Sequence, residues 1–507
     1  MRWIVIVLTL AVSACVTNPV TGEKELSLVS TAQEVAIGEQ QYGPGRQMYG
    51  GDFVADPEVT RYVKEVGARL AAVSDRELPY EFVVINDGTP NAWALPGGKI
   101  AVHRGLLVEM GSEAELAAVL GHEIVHAAAR HGARAMTRGM LMQGAMVAAS
   151  ITANDSPYGS LLMTGAGMTL QLVTQKYGRD AERESDQYGM LYMSRAGYNP
   201  AAAVDLQETF VRISEGRNSS WLEGLFASHP PSQERVDNNR AMLAELPPGG
   251  ELGVEKYRAT MSGLVATREA YAAHDHGRKA LAEGDLNTAL EDAQRALAAE
   301  PNEALFHLLR GDIRAAQSRW DDALINYRRA VDRNPGYFYP YMRRGIAFRE
   351  VSNKSMAIGD LERSIQLLPS APALNALGEL KLEAGDRDAA MQLFRAAADS
   401  DSPDGRAARE SLARLELPEK PYRYLETRLG QDSDGSIVVE IRNPTGLSVN
   451  VTELTVEYLQ PDGQVQSRAE QIRGRLEAGA AARMKLPFTV DDPRRLRAAV
   501  TGAQILD

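Results

Sequence analysis

The sequence has very little cysteine, and this single count excludes several kinds of site. Cys15 is the one cysteine among 507 residues, so the chain has no intramolecular disulfide and no metal site built from several thiolates. Acidic residues outnumber basic ones by 67 to 55 and no basic block is present, which argues against nucleic acid as a partner. After the first residues, no apolar run reaches the roughly 18 residues needed to span a bilayer.

The N-terminus has the features of a signal peptide over residues 1–14. Arg2 supplies a positive charge, and Trp3 to Val12 supply a short apolar core. The next residues end in Ser13-Ala14-Cys15, which resembles a bacterial lipobox and predicts lipidation of Cys15. The alternatives are an ordinary cleaved signal peptide and a short membrane anchor.

Residues 15–30 are therefore predicted to form a lipidated N-terminus and a spacer. By analogy with bacterial lipoproteins, Val16 rather than an aspartate after the cysteine favours the outer membrane. The turn sequence Asn18-Pro19 suggests that the spacer folds back onto the following domain. The predicted location is thus the periplasm, with a lipid anchor in a membrane.

The most informative stretch is GHEIVH, residues 121–126, which contains the motif H-E-x-x-H. Ser112 and Glu115 have the spacing of a capping box, and apolar residues then recur at three- and four-residue steps, so a helix is predicted. On a helix, His122 and His126 project from one face, where they can bind zinc. Glu123 lies beside them as a candidate general base. The alternative is a pair of structural histidines.

A catalytic zinc needs a third protein ligand, and residues 180–186 offer one. Asp180 is predicted to cap a helix that Gly197 ends. Glu182 and Asp186 share a face of this helix, with Glu182 as the ligand and Asp186 hydrogen-bonded to a ligand histidine. Taken alone, the segment would be an ordinary charged helix face. Its pairing with H-E-x-x-H favours the metal site.

A short sheet is predicted before the motif. Residues 81–85 and 99–102 have the composition of strands, and Pro96-Gly97-Gly98 between them is a turn signal. A strand edge beside a zinc site suits a peptide substrate, which can add itself as another strand. Asn91 and Ala92 are the predicted substrate-binding residues here. The alternative is a structural hairpin without substrate contacts.

These motifs follow one another as in a known family. Residues 91–98, 105–107, H-E-x-x-H and the later E-x-x-x-D-x-x-G resemble the HtpX-type zinc metallopeptidases, which belong to the gluzincin group. The resemblance covers roughly Pro19 to Leu243. It implies a zinc endopeptidase that removes misassembled outer-membrane or other envelope proteins. It also implies one Zn²⁺ per chain held by His122, His126 and Glu182, with Glu123 as base and Asp186 as the orienting carboxylate.

His229 and Arg235 follow the third ligand, as in family members. His229, in Ser-His-Pro-Pro, could donate to the oxyanion or act as a fourth zinc ligand that keeps the enzyme latent. The alternative is a surface histidine that caps a turn. Arg235 is predicted to contact substrate. His103 and His131 are predicted to be structural.

The region after residue 265 has a period of 34 residues. Pro301, Pro335, Pro369 and Pro403 share this step, as do glycines and alanines between them, which is typical of tetratricopeptide repeats. Four helical hairpins are predicted over residues 265–416, and together with the lipobox they resemble the BepA-like members of the family. Gly378 departs from the period, which predicts glycine at 379. The repeats are expected to bind a protein segment or to serve as a structural arm.

Residues 419–507 change to short strand patterns, over 436–441, 449–459 and 480–490, and suggest a small β-sandwich. The predicted architecture is therefore multidomain: a mostly α metallopeptidase domain with a small sheet over 31–262, an α-solenoid, and the sandwich. Two functions compete. One is an envelope endopeptidase whose repeats recruit unfolded proteins or dock on outer-membrane assembly machinery, and the other is an envelope chaperone or scaffold. An intact Glu123 favours the enzyme, because a scaffold needs no base beside its metal.

Overall fold

The computed structural model describes residues 15–143, 172–174, 176–215, 224–432, 434, 436–460, 463–488 and 492–506. These residues form two compact units, which are separated in the sequence between residues 369 and 370. The signal peptide predicted at residues 1–14 lies outside the described residues. No helix in the described ranges is long and apolar enough to cross a membrane.

In its described ranges, the first unit begins with a short antiparallel hairpin and continues with ten helices and a small sheet before the repeats. The strands are β1 (Cys15–Thr17), β2 (Lys24–Leu26), β3 (Glu81–Ile85), β4 (Ala92–Leu95) and β5 (Lys99–His103). The helices are α1 (Thr31–Met48), α2 (Pro57–Ala71), α3 (Arg104–Leu107), α4 (Glu113–Ala128), α5 (His131–Gln143), α6 (Arg179–Arg195), α7 (Ala201–Glu215), α8 (Leu225–Ser228), α9 (Gln233–Glu245) and α10 (Val254–Ala266).

The predicted spacer folds back onto the peptidase region, as expected. The Asn18 side chain donates to the backbone carbonyl of Ala129 at the end of α4 (3.4 Å). Farther along, the Leu28 amide donates to the Thr137 hydroxyl (3.0 Å). The chain leading into α1 therefore lies against the end of the helix that carries H-E-x-x-H.

The sheet has the strand order β3-β5-β4, with β5 parallel to β3 and antiparallel to β4. The predicted strands at 81–85 and 99–102 are present, and β4 was predicted only as part of the connection. Gly97 and Gly98 make the turn from β4 to β5 with φ of 81° and 88°, a conformation that glycine adopts at little cost. All residues of β4 are buried.

The helix α4 starts where the capping signal predicted. Ser112 is the N-cap and its hydroxyl accepts from the Glu115 amide (3.1 Å). The reciprocal half of the predicted capping box is absent, since Glu115 Oε2 accepts from the Gly111 amide instead (2.7 Å). Fourteen of its sixteen residues are buried, so the motif lies in the interior of the domain.

The helix α6 packs closely against α4 because each has a glycine at the contact. A Cβ atom at Gly121 would lie 3.2 Å from the Gly189 carbonyl oxygen, and one at Gly189 would lie 3.1 Å from the His122 amide nitrogen. The close approach brings the side chains of Glu182 and His122 to one place. The N-cap prediction for α6 was wrong: Gly178 is the N-cap and Asp180 lies within the first turn.

Three repeat hairpins complete the first unit. They are α11 (Arg268–Glu283) with α12 (Leu286–Ala299), α13 (Ala304–Ala316) with α14 (Trp320–Arg333), and α15 (Phe338–Glu350) with α16 (Lys354–Leu367). A Cβ at Gly311 would lie 2.6 Å from the Tyr327 ring, and a Cβ at Gly345 would lie 2.9 Å from Leu361. The periodic glycines are therefore needed where the two helices of a hairpin touch.

The repeats of the first unit pack against its peptidase region. The Glu303 carboxylate is buried and accepts from Asn86 Nδ2 (3.0 Å) and from the Tyr271 hydroxyl (2.5 Å). Arg104 stacks over the Tyr271 ring at 3.4 Å and donates to Asn86 Oδ1. Two regions that the sequence separated into domains thus share a buried polar contact.

His307 in α13 predicts an acid-sensitive stability of the repeats. Its Nε2 donates to the Pro301 carbonyl (2.9 Å), whereas its Nδ1 is buried without a hydrogen-bond partner among the described residues. Burial lowers the pKa of His307 to about 4, and Arg333, Arg310 and Arg329 act in the same direction. Between about pH 6.5 and pH 4, His307 is therefore protonated in the unfolded chain but not in the folded chain.

We expect the free energy of unfolding to fall by about 1–2 kcal/mol as the pH drops through this window, because solvent screens part of the effect of the shift. His307→Gln should remove this part of the pH dependence, measured as the difference in Tm between pH 7 and pH 4.5. An unchanged pH dependence in His307→Gln would contradict the assignment.

The second unit contains the fourth hairpin, α17 (Ala371–Glu383) with α18 (Arg387–Ala398), and a further helix, α19 (Pro403–Glu416). Gly378 approaches Phe394 as Gly311 approaches Tyr327, at the same 16-residue spacing. The irregular step therefore arises before the hairpin: residues 368–370 connect it to α16, whereas the earlier hairpins are joined by the four-residue segments 300–303 and 334–337.

The chain ends in two three-stranded antiparallel sheets around a common apolar core, which confirms the predicted sandwich. Their orders are β10-β7-β6 and β11-β8-β9. The strands are β6 (Glu426–Gln431), β7 (Ile437–Arg442), β8 (Ser448–Leu459), β9 (Val465–Leu476), β10 (Ala481–Lys485) and β11 (Leu496–Leu506). Prediction found β7, β8 and β10, although it extended β10 to 490. It missed β9 because this edge strand is mostly exposed and polar, and it also missed β6 and β11.

Candidate metal centre

Four side chains from three segments meet in the interior of the first unit. His122 and His126 lie on α4, Glu182 lies in the first turn of α6, and His229 follows α8. The atoms that each could offer to a metal all lie within 4.8 Å of one another. We call these four residues the ligand cluster. The structure thus brings His229, whose role the sequence left open, into contact with the three predicted ligands.

The atoms of the ligand cluster converge on one point. His122 Nε2 lies 3.0 Å from His126 Nε2 and 3.2 Å from His229 Nδ1. His229 Nδ1 also lies 3.0 Å from Glu182 Oε1. Imidazole nitrogens and a carboxylate that point at one another in this way are the donors of a tetrahedral zinc site.

Asp186 holds His122 in place, as predicted. The His122 Nδ1 atom lies 2.9 Å from Asp186 Oδ1. A carboxylate only accepts, so His122 donates from Nδ1 and turns the lone pair of Nε2 toward the ligand cluster. Burial alone would raise the pKa of Asp186, but Arg235 and His122 keep it below its ordinary value.

Arg235 lies behind the ligands, which the sequence did not suggest. It donates to both oxygens of Asp186 (2.7 Å each) and to the Pro230 carbonyl (3.2 Å), and its Nη1 lies 2.9 Å from Glu182 Oε2. The side chain is 8 % exposed. Its substrate-binding role stays a prediction. Its visible contacts fix two carboxylates of the site and the proline after His229.

Glu123 points into the same space and has a free oxygen. Its Oε2 is buried without a hydrogen-bond partner among the described residues, and its Oε1 lies 3.5 Å from His229 Nε2. Burial raises the pKa of Glu123 above its ordinary value. A carboxylate with a raised pKa beside a group of metal ligands is well suited to accept a proton and return it.

Glu182 and His229 shift each other's pKa in opposite directions. Burial opposes ionisation of Glu182, but His229, His126 and His122 hold its pKa well below the ordinary value. Burial likewise opposes protonation of His229, but Glu182 and Glu123 raise its pKa. In the protein alone, His229 and Arg235 thus face the negative charge of the carboxylates, whereas burial holds the pKa of His126 well below its ordinary value. A divalent cation would balance the same negative charge.

Two residues next to His126 were not identified as part of the site. Tyr177 stacks on the His126 ring with centroids 3.9 Å apart and planes 25° apart. His131 Nδ1 lies 2.8 Å from His126 Nδ1, although His131 was predicted to be merely structural. A lone tyrosine before a helix carries no signal, whereas the spacing of five residues from His126 was visible in the sequence.

The remaining predicted residues lie elsewhere. Asn91 and Ala92 lie at the start of β4 and are buried; Asn91 accepts from the Ala92 amide (2.9 Å). His103 is also buried and accepts from Trp93 Nε1 (3.2 Å), in agreement with a structural role. Cys15 is the first residue of β1. The substrate role of the first two and the lipidation of Cys15 stay predictions.

An apolar cavity opens beside the ligand cluster, between α4, α6 and α7. Much of its wall is made by aliphatic, aromatic and thioether side chains, among them Val119, Met190, Met193, Leu206, Phe210 and Leu225. Gln207 also lines it, and its Oε1 is buried without a hydrogen-bond partner among the described residues. Because Glu123 and His122 line the same cavity, a side chain bound there would lie next to the reacting groups.

Comparison with known proteins agrees with the site. Residues 57–243 match the model of peptidase family M48, and residues 274–338 and 375–419 match the tetratricopeptide repeat. The chain therefore carries a family M48 domain and tetratricopeptide repeats, and the matched domain is that of a peptidase family. This confirms the resemblance on which the sequence analysis relied. A metal is implied by the family, and the donors of the ligand cluster fit one.

Three relatives show how the similarity is distributed. A putative beta-barrel assembly-enhancing protease of Vibrio cholerae is 31% identical over 38% of this chain and 41% of its own. The beta-barrel assembly-enhancing protease of Escherichia coli K12 is 25% identical over 62% of this chain and 70% of its own. The mitochondrial metalloendopeptidase OMA1 of Schizosaccharomyces pombe is 34% identical over 45% of this chain and 66% of its own. The chain spans less than half of the Vibrio relative.

Proposed function

We propose that this protein is a zinc endopeptidase of the bacterial envelope that cleaves unfolded or misassembled proteins. The observation that carries the proposal is the convergence of the ligand cluster next to the unpartnered Oε2 of Glu123. We infer one Zn²⁺ per chain, because histidine and carboxylate donors in this number are typical of catalytic zinc. Zinc bound there supplies Lewis-acid chemistry, which polarises a carbonyl and acidifies a water molecule.

The side chains divide the remaining work. Glu123 accepts a proton at Oε2 from the attacking water and returns it to the leaving amine. Asp186 and Arg235 hold His122 and Glu182 in place through the hydrogen bonds and ion pair described above. The apolar cavity binds a side chain of the substrate. Folded proteins bury most of their large apolar side chains, whereas unfolded chains expose them. The cavity therefore favours unfolded chains as substrates.

His229 occupies the position of a fourth ligand. Its Nδ1 lies 3.2 Å from His122 Nε2 and 3.0 Å from Glu182 Oε1, as expected of a fellow ligand. These distances favour a fourth ligand, which keeps the enzyme latent, over a donor to the oxyanion. A catalytic zinc keeps one position open for water or substrate. We infer that His229 must leave the ligand cluster before substrate is cleaved.

Partners and location follow from the relatives and the N-terminus. Two of the three relatives are named for enhancing beta-barrel assembly. Tetratricopeptide repeats are protein-binding modules, so we propose that they recruit envelope substrates or dock on outer-membrane assembly machinery. The lipobox supports attachment of Cys15 to a membrane, with the domains in the periplasm.

The test is proteolysis of casein, an unfolded protein, by the full chain purified in detergent. The parent protein with zinc, the same protein stripped by a chelator, and His229→Ala with zinc would be compared by gel and by mass spectrometry of the products. We expect zinc-dependent cleavage, which is faster in His229→Ala by about tenfold because a coordination position is freed. If neither the parent nor His229→Ala cleaves, the proposal fails and a scaffold acting through the repeats is favoured.

The cavity makes a separate prediction about substrate binding. Ala203, on α7, lines the cavity and is 8% exposed, so Ala203→Phe should fill the space that a substrate side chain needs. We expect kcat/KM for casein to fall by about tenfold or more, while zinc content stays unchanged. Asp205→Phe adds the same ring on the exposed side of this helix and should have little effect. Equal activities of the two variants would exclude the cavity as a substrate site.

A further inference from the structure

His131 lies directly behind a ligand of the proposed metal site. His126 directs Nε2 toward the ligand cluster and Nδ1 toward His131, whose own Nδ1 is 2.8 Å away. On its other side, His131 Nε2 lies 2.9 Å from Glu184 Oε2. The side chains of His126 and His131 are both 0% exposed, so no solvent molecule competes for these hydrogen bonds.

The direction of these hydrogen bonds follows from the chemistry of the end group. A carboxylate only accepts, so the proton between His131 and Glu184 is on His131 Nε2. With one proton on each imidazole, His131 Nδ1 accepts and His126 Nδ1 donates. The lone pair of His126 Nε2 then points into the ligand cluster, which is the tautomer that a metal ligand needs.

The polar contacts continue from Glu184 to the N-terminal hairpin of β1 and β2. Arg134 Nη2 lies 3.4 Å from Glu184 Oε2, and Arg134 Nε donates to Glu25 Oε2 (3.0 Å). Glu25 lies in β2 and pairs with Val16 of β1. Asn18, in the turn between these strands, donates to Glu25 Oε1 (2.9 Å). The residues that follow the predicted lipidation site are thus connected to a metal ligand.

A second observation links the same segments. Arg130, between α4 and His131, has a φ of 61°, a conformation that costs energy in any residue with a Cβ. It is held by residues before or at the start of α1: Arg130 Nε donates to Glu34 Oε1 and Arg130 Nη2 to the Val29 carbonyl (both 2.6 Å). The turn between α4 and α5, which places His131 next to His126, therefore depends on contacts with the N-terminal segment.

We propose that His131, held between His126 and Glu184, is a positioning residue for the metal centre, and that the N-terminal hairpin keeps it in place through Glu25 and Arg134. The proposal rests on the proposed zinc site. It follows that displacing the hairpin weakens zinc binding.

The test is a zinc titration of the full chain in detergent against a chromophoric chelator. His131→Leu should lower zinc affinity by about 10- to 100-fold, as loss of a ligand's hydrogen-bond partner does. His131→Asn, whose Oδ1 can accept from His126, should regain most of this loss. Glu25→Lys, which repels Arg134, should lower the affinity by about fivefold, and Glu23→Lys, an exposed residue next to β2, is its matched control.

The outcomes distinguish the role of His131, the role of the hairpin and the existence of the zinc site. Equal zinc affinities of the parent, His131→Leu and Glu25→Lys would overturn the proposal while leaving the zinc site intact. A loss in His131→Leu with none in Glu25→Lys would overturn the role of the hairpin. A parent that binds no zinc would remove the proposed function itself. If His131→Leu is unfolded by circular dichroism, His131→Asn and Glu25→Lys still carry the test.

Discussion

Glu123→Gln is expected to lower kcat for casein cleavage by about 10³-fold. Glutamine has the shape of glutamate but cannot accept a proton, so the substitution removes the base and leaves the packing of α4 intact. The unpartnered Oε2 of Glu123 is the only atom placed for this role among the acidic residues of the described cavity lining, because both oxygens of Asp186 are bonded to Arg235. The rate is to be measured with zinc at saturation.

Glu115→Gln is the matched control, since Glu115 lies two turns earlier on α4 and does not line the cavity. Its activity should equal that of the parent. Zinc affinity of Glu123→Gln should stay within a few-fold, because Glu123 is not in the ligand cluster. Full activity in purified Glu123→Gln would mean that another group acts as base, and our assignment would be wrong.

Arg235→Met is expected to destabilise the first unit by about 3–5 kcal/mol in the absence of zinc. Arg235 is the cation that faces both Asp186 and Glu182, and its removal leaves these buried carboxylates without it. Methionine keeps much of the volume, so the loss measures charge and hydrogen bonds more than packing. The measurement is the unfolding of the chain by calorimetry in chelator and again in zinc, where the loss should be smaller because the metal balances Glu182.

Arg240→Met, on the exposed side of the same helix α9, is the control and should change stability by less than about 1 kcal/mol. The double variant with Asp186→Asn should recover part of the loss, because one of the two unpaired charges is gone. If Arg235→Met is as stable as Arg240→Met, the buried ion pairs do not stabilise the site.

The sequence predicted those parts of the site that follow from local spacing. His122, Glu123 and His126 lie on one helix, whose 3.6-residue period fixes their relative positions. Glu182 and Asp186 are related in the same way. The prediction failed where the local signal was ambiguous: the cap of α6 was placed at Asp180 because a polar side chain is usually preferred there to Gly178.

Contacts between distant segments were not predicted. Arg235 was read as a substrate contact, whereas the structure places its guanidinium against two carboxylates some 50 residues earlier. His131 was read as structural because nothing in its neighbours indicates that a turn at Arg130 places it against His126. The connection from Glu25 to Glu184 through Arg134 joins three segments and has no sequence pattern.

Sequence motifs indicate the class of this protein through their resemblance to a known family. The helices that carry the ligands, the 34-residue repeats and the terminal strands follow from periodicity, which is a local property of the chain. The fold was needed to show that His229 joins the ligand cluster, that an apolar cavity adjoins Glu123, and that the repeats of the first unit pack on the peptidase region. Those features depend on which distant surfaces meet. At the centre of the site, the close approach of α4 and α6 at Gly121 and Gly189 brings the side chains of the two helices together.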